Sequence, residues 1–238
     1  MDDDRKKPPM EPSLTYTYKQ VGNKIINLDV FSPSKRYGAR NIPSPVMLFI
    51  HGGAWIGGNR QEFSRPVFEE FLSHEFVIVS TDYRLVPESS FVNGQLEDIR
   101  DVETWIKTEI PSKLKDHGFD VQTEQIVVVG GSAGALLALL TAGGATKEGI
   151  NQISPLQLCE KIEYPPVYQY TGAQDGLFET CHVTDFAAAL EKQGIPHKEH
   201  SVPGVDHAFD MGAKVGDDVH LNVIKPAVDW IVEVVGSF

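Results

Sequence analysis

Four short apolar runs, "VMLFI" (46–50), "FVIVSTDY" (76–83), "QIVVVGG" (125–131) and "PVYQYTG" (166–172), stand apart by helix-length intervals, and this spacing leaves few folds open. Each run is β-branched or aromatic without polar alternation, the pattern of a strand covered on both faces. Between them "EFSRPVFEEFLSHE", "NGQLEDIRDVETWIKTEI", "AGALLALLTAGG" and "ETCHVTDFAAALEKQG" are rich in helix formers. In the second of these, Leu96, Ile99, Ile106 and Ile110 mark one helical stripe. A βαβα alternation of this kind predicts a mostly parallel central sheet flanked by helices on both faces.

The flanks extend the pattern. "LTYTYKQVG" and "KIINLDVFSP" alternate and read as two antiparallel strands joined through Gly22-Asn23, at a sheet edge. "HKEHSVPG" is a last weak strand, and "VHLNVIKPAVDWIVEVVGSF" keeps a helical period that Pro226 either kinks or begins. Residues 1–13 read as a polar, disordered leader and 14–238 as one α/β domain, with "GGATKEGINQ" the clearest loop.

Charge narrows the partners. A formal net charge of −12 argues against nucleic acid and against an anionic membrane, and favours a neutral or cationic small molecule. No stretch approaches the roughly 20 apolar residues of a membrane span, and the start has no apolar signal region, so a cytoplasmic location is expected. Cys159 and Cys181 show no metal or redox spacing and read as reduced core thiols.

"VVVGGSAGALLALL" places Gly130-Gly131-Ser132-Ala133-Gly134 between a strand and a helix. A serine on so sharp a turn takes strained dihedrals, and the residues two places either side must be small for strand and helix to meet. The helix start also turns amides toward charge developing beside the serine oxygen. A serine hydroxyl needs a base and an orienting acid. Asp175 follows the strand "PVYQYTG" and His207 follows the weak strand, both at C-terminal strand ends where open α/β sheets bind ligands. Asp206 and Asp210 flank His207 too closely to be sure of reaching its Nδ1, so Asp175 is the preferred acid. His74, His117, His182, His197, His200 and His220 read as structural or solvated, and His197, Glu199 and His200 lack a third ligand spaced for zinc, so no metal is expected. Asp98 and Asp101 read as a solvated helix face.

"HGGAW", "DYRLVPE", "LEDIRD", "GGSAG", "YPPVYQYTGAQDGL" and "GVDHAF" occur here in an order that resembles the hormone-sensitive-lipase-like (fold-3) esterases of the α/β-hydrolase superfamily. The resemblance runs from about residue 25 onward. It implies a serine hydrolase of carboxylic esters with no cofactor: Ser132 the nucleophile, His207 the base, Asp175 the orienting acid, and the amides of Gly52, Gly53 and Ala133 the oxyanion hole. It makes "DYRL" structural, with Arg84 an internal charge partner. His51 then organises the loop rather than acting as base, and Trp55 lines the substrate wall or belongs to the core. Ala54, Gly131 and Gly134-Ala135 depart from the common pattern and are similar to kynurenine-formamidase-type hydrolases, which cut an aryl formamide. The superfamily also holds non-hydrolytic biosynthetic members, such as cyclases, lyases and transacylases, and receptors that bind ligand without turning it over.

One departure is large. Only 43 positions separate Ser132 from Asp175, too few for the family's further parallel strand and most of its cap. "INQISPL" is a poor candidate for that strand. An open site with a reduced or absent cap is expected, and the sheet either keeps Asp175 within reach of His207 or changes order and parts them.

Overall fold

A computed structural model describes residues 10–34, 43–144, 154–162 and 164–236. The chain opens with an antiparallel hairpin of β1 (Leu14–Val21) and β2 (Lys24–Phe31), turning at Gly22 with φ of 57°. Then come β3 (Ser44–Ile50), helix α1 (Arg65–Ser73), β4 (Val77–Thr81), a π-helical turn over Phe91–Leu96, α2 (Glu97–Thr108) and α3 (Ile110–Lys115). The strand β5 (Val121–Gly130) leads into α4 (Ala133–Ala142), followed by α5 (Pro155–Cys159), β6 (Val167–Gly172), α6 (Cys181–Lys192) and β7 (His197–Val202). A π-helical turn over His220–Ile224 runs directly into α7 (Lys225–Gly236), so Pro226 stands at the second residue of the α-helix, where the ladder changes from π to α.

The sheet is mixed and in two parts. Five strands run in the order β1-β2-β4-β3-β5, and β6 and β7 pair separately. The β3–β4, β3–β5 and β6–β7 pairs are parallel, whereas β1–β2 and β2–β4 are antiparallel. The hairpin is thus not wholly an edge, because β2 lies between β1 and β4. Among the described residues no strand joins β5 to β6, the position of the strand that the sequence lacks. The candidate "INQISPL" falls partly outside the described residues, and its tail is helical, starting α5 at Pro155. Most of "GGATKEGINQ", and residues 1–9 of the leader, also lie outside them.

Strand periodicity divides the core between two faces. Val46, Leu48 and Ile50 of β3 join Val77, Val79, Ile99, Ile106 and Leu137 on one, while Met47 and Phe49 join Ile78, Phe68, Phe71 and Val228 on the other. The stripe Leu96, Ile99, Ile106 and Ile110 is buried as expected.

Two expectations are corrected. Asp98 is not on a solvated face: its carboxylate is fully buried, accepting hydrogen bonds from the Arg84 amide (2.9 Å) and guanidinium (2.7 and 2.8 Å) and pairing with Lys19 (2.7 Å). Helical position alone could not show this, since both cations arrive from distant strands and loops. Asp101, half exposed, also pairs with Lys19. Arg84 is the internal charge partner expected of it. Replacing Asp98 by Ala removes the one fully buried carboxylate that Arg84 and Lys19 share and leaves them only the partly exposed Glu97 and Asp101, which should cost about 2 kcal/mol. Urea unfolding reads this, and a loss under about 0.5 kcal/mol, the size of an exposed-pair effect, would contradict it. The second correction concerns the thiols: both are free, but only Cys159 is buried, and Cys181 is exposed at the start of α6.

Candidate active site

Strand β5 ends at Gly130 and α4 begins at Ala133, so the chain reverses within two residues. Ser132 pays for that turn with φ of 52° and ψ of −121°, a region costly to any residue with a Cβ. The flanking glycines are sterically required. A Cβ on Gly130 would stand 2.3 Å from the Gly134 carbonyl oxygen, and one on Gly134 would stand 2.1 Å from that of Ile50. Strand β5, helix α4 and the end of β3 therefore converge under an exposed Ser132.

The loop after β3 lies against this turn. A Cβ on Gly52 would sit 3.1 Å from the Gly131 oxygen and 3.2 Å from the Ser132 Cβ. Gly53 has φ of 105°, and its carbonyl accepts from the amides of Ile56 and Gly57. Among the described residues the amides of Gly52 and Gly53 donate to no protein acceptor, and the Ala133 amide is the first of α4, with no intrahelical partner. The unengaged amides of Gly52 and Ala133 thus belong to residues beside the serine, and that of Gly53 follows Gly52 in the same loop.

His51 holds the loop in place. Its ring is 1% exposed, stacks on Tyr83 at 4.2 Å and lies with Nδ1 2.7 Å from the Gly52 carbonyl, while the Tyr83 hydroxyl donates to the His51 carbonyl at 3.0 Å. Burial pushes its pKa below the ordinary histidine value, which keeps the ring neutral. The rest of "DYRL" is equally structural: Asp82 accepts from the Arg60 guanidinium at 2.6 Å and from its amide at 2.9 Å.

Despite the short connection, the acid and base come together with the serine. His207 Nε2 is 2.8 Å from Ser132 Oγ, and His207 Nδ1 is 2.7 Å from Asp175 Oδ2. The other oxygen of Asp175 accepts from the amides of Leu177 and Phe178, both at 2.9 Å. Burial favours the neutral acid, but the bonds from His207 and the two amides outweigh it and hold Asp175 below the usual carboxylate range. An ionised Asp175 only accepts, so Nδ1 carries the proton and Nε2 is left to accept from the serine hydroxyl. The alternative acids are occupied elsewhere. Asp206 Oδ1 accepts from the amides of Gly176 and His207, and Asp210 accepts from the Tyr170 hydroxyl at 3.2 Å.

Trp55 is half-buried, packs on the main core and meets Phe91 edge to face at 5.7 Å, and its buried indole N–H has no hydrogen-bond partner among the described residues. Ser132 is exposed, and the loops that follow β3 and β6 carry exposed apolar side chains, Ile56 at 67%, Leu177 at 82% and Phe178 at 44%. Of metal-ligand types, Glu179, Cys181 and His182 hold their donor atoms within 4.8 Å of one another, all at the surface. Sequence reading passed over this trio because only the turn into α6 gathers it. The two amide bonds of Asp206 are likewise tertiary, since its place beside His207 in sequence suggests only a rival acid.

Comparison with known proteins agrees with this architecture. A family model described as BD-FAE matches residues 28–163. The non-reducing polyketide synthase atr1 of Stereocaulon alpinum is 34% identical over 143 residues, which is 60% of this chain and 6% of that protein. The corresponding synthase ausA of Aspergillus calidoustus is 28% identical over 177 residues, 70% of this chain and 7% of that protein. The chain therefore spans only about 6% of the length of the curated relatives it matches. Thermogutta terrifontis esterase 2, phosphoramylated by tabun, superposes with a TM-score of 0.78 at 20% identity over 95% of this chain and 96% of its own. The propionate-bound form of that esterase gives 0.75 at 21% identity, over 96% of each chain. This likeness establishes the α/β-hydrolase fold.

Proposed function

The chain belongs to the BD-FAE family, and from that premise we propose that it is a serine hydrolase of small-molecule carboxylic esters. The observation that carries the reading is the continuous hydrogen-bond chain Ser132–His207–Asp175, with the Gly52 loop packed against the serine.

The chemistry follows from the geometry. Ser132 Oγ attacks the ester carbonyl while its proton passes to His207 Nε2, and Asp175 stabilises the imidazolium through Nδ1–H. The carbonyl oxygen becomes an oxyanion against the amides of Gly52, Gly53 and Ala133, donors already in place before charge develops. Collapse breaks the bond to the alcohol, which takes the proton from Nε2 as it leaves. Water then gives a proton to His207 and its oxygen to the acyl carbon, and Ser132 takes that proton from Nε2 as the carboxylic acid departs. His51, buried and neutral, takes no proton in this scheme. Trp55 lies on the loop that would wall the acyl or alcohol group.

A second reading keeps the acyl-serine and changes the acceptor. Its support is the likeness to segments of polyketide synthases, together with an exposed Ser132 and exposed apolar side chains at Leu177 and Phe178 on the Asp175 loop. In that case the acyl group passes to a second substrate or cyclises instead of meeting water.

Labelling with a fluorophosphonate tests the first step common to both. Esterase 2 of Thermogutta terrifontis is phosphonylated by cyclosarin and by sarin. The probe is expected to modify Ser132 in the wild type and to slow at least about 100-fold in His207→Ala, since the base is what makes a serine nucleophilic. Absence of labelling at Ser132 overturns both readings. Labelling without hydrolysis of a panel of simple esters selects the second.

A further inference from the structure

Asp175 and His207 both project from the separate β6–β7 pair, while Ser132 stands on the five-stranded sheet. Among the described residues no strand ties the two sheets by backbone pairing, so no rung of the five-stranded sheet aims the imidazole, and the contacts within the β6–β7 unit carry that task together with the Ser64 hydroxyl bond to the Asp210 carbonyl. The backbone shows how. Beyond the ends of β6 and β7 the two loops stay laced: Ala173 donates to the Val202 carbonyl at 2.8 Å and Gln174 to that of Val205 at 3.1 Å. Gly172 permits this approach, since a Cβ there would stand 2.5 Å from the Val205 oxygen and 2.6 Å from the Asp206 oxygen. The last rung is made by a side chain. A single oxygen, Asp206 Oδ1, accepts from the Gly176 amide at 2.9 Å and from the His207 amide at 2.7 Å.

We infer that Asp206 is a positioning residue for the Asp175–His207 pair: it joins the residue after the acid to the backbone of the base and so sets the distance across which Nδ1 meets Oδ2. The inference rests on the serine-hydrolase reading, because the pair has a task to perform only there. Asp206 is exposed and adds nothing to the core. The two amides also hold its carboxyl below the usual carboxylate range, as expected for an oxygen that accepts twice as an anion. Displacing a base by about an ångström costs on the order of 100-fold in rate, so one missing rung at this point is enough to matter.

Two variants and two readouts test this. Asp206→Ala removes the bridging oxygen, and kcat on a short aryl ester should fall about 10- to 100-fold, with KM within about twofold and Tm within a few degrees. Asp206→Asn keeps an amide oxygen able to accept both N–H groups, and should recover kcat to within about threefold of the wild type. The low-field proton resonance of the His207–Asp175 hydrogen bond, observed by NMR without substrate, should persist in Asp206→Asn and be lost in Asp206→Ala. Unchanged kcat and resonance in Asp206→Ala overturn the inference, and so does an Asn variant as impaired as the Ala one. If the wild type turns over no ester, the resonance still decides this point, while the failed turnover counts against ester hydrolysis alone.

Discussion

Replacing Ser132 by Ala should lower kcat/KM for a short-chain aryl ester by at least about 1,000-fold, the scale seen when a serine triad loses its nucleophile. The fold should survive unchanged. Ser132 is exposed, its Oγ is bonded to His207 and not to the core, and Ala bears the same Cβ on the same left-handed φ, so the backbone strain is neither added nor relieved. A steady-state assay beside a thermal melt separates the two quantities. Activity retained by a well-folded Ser132→Ala protein would remove the nucleophile from the mechanism and leave the assembled His207–Asp175 pair without a substrate-side partner.

Gly134→Ala should be the more damaging change for stability, although it adds one methyl group. That methyl meets the Ile50 carbonyl oxygen at 2.1 Å and the His51 oxygen at 2.6 Å, both backbone atoms at the end of β3. No side chain can swing aside to admit it. Either α4 moves away from the sheet or β3 gives way, and overpacking against a rigid backbone costs about 3 kcal/mol, at the upper end for core insertions. Because β3 continues into the Gly52 loop, esterase activity should fall with stability. Gly131→Ala is the internal control. It lies in the same five-residue motif, yet a Cβ there has no neighbour within 4 Å, and its unfolding free energy should stay within about 0.5 kcal/mol of the wild type. Equal stability of the two variants would sink the packing argument.

Much of the local order was written in short-range pattern. The apolar runs became β3, β4, β5 and β6, and Gly-x-Ser-x-Gly marked its turn, because a strand packed on a helix within two residues tolerates little else at the flanking positions. Asp175 was legible from its place after a strand, and its contact with His207 is in the structure. Asp98 was not legible: a carboxylate on a helix looks solvated until Arg84 and Lys19 are seen to reach it. Cys181 misled in the opposite direction, since cysteine is usually buried and here it stands exposed at the first residue of α6.

By itself, then, the sequence determined the elements and the residue types able to do the chemistry, since these depend on neighbours a few positions apart. It left open whether a sheet short of one strand still carries acid, base and serine to one point. Tertiary structure decided that. The β6–β7 pair stands apart from the five-stranded sheet, and laced loops closed by Gly172 and Asp206 bring His207 within 2.8 Å of Ser132 Oγ. The reason is physical: a hydrogen bond across 75 positions of chain is set by how two packed units meet, and no local periodicity encodes that distance.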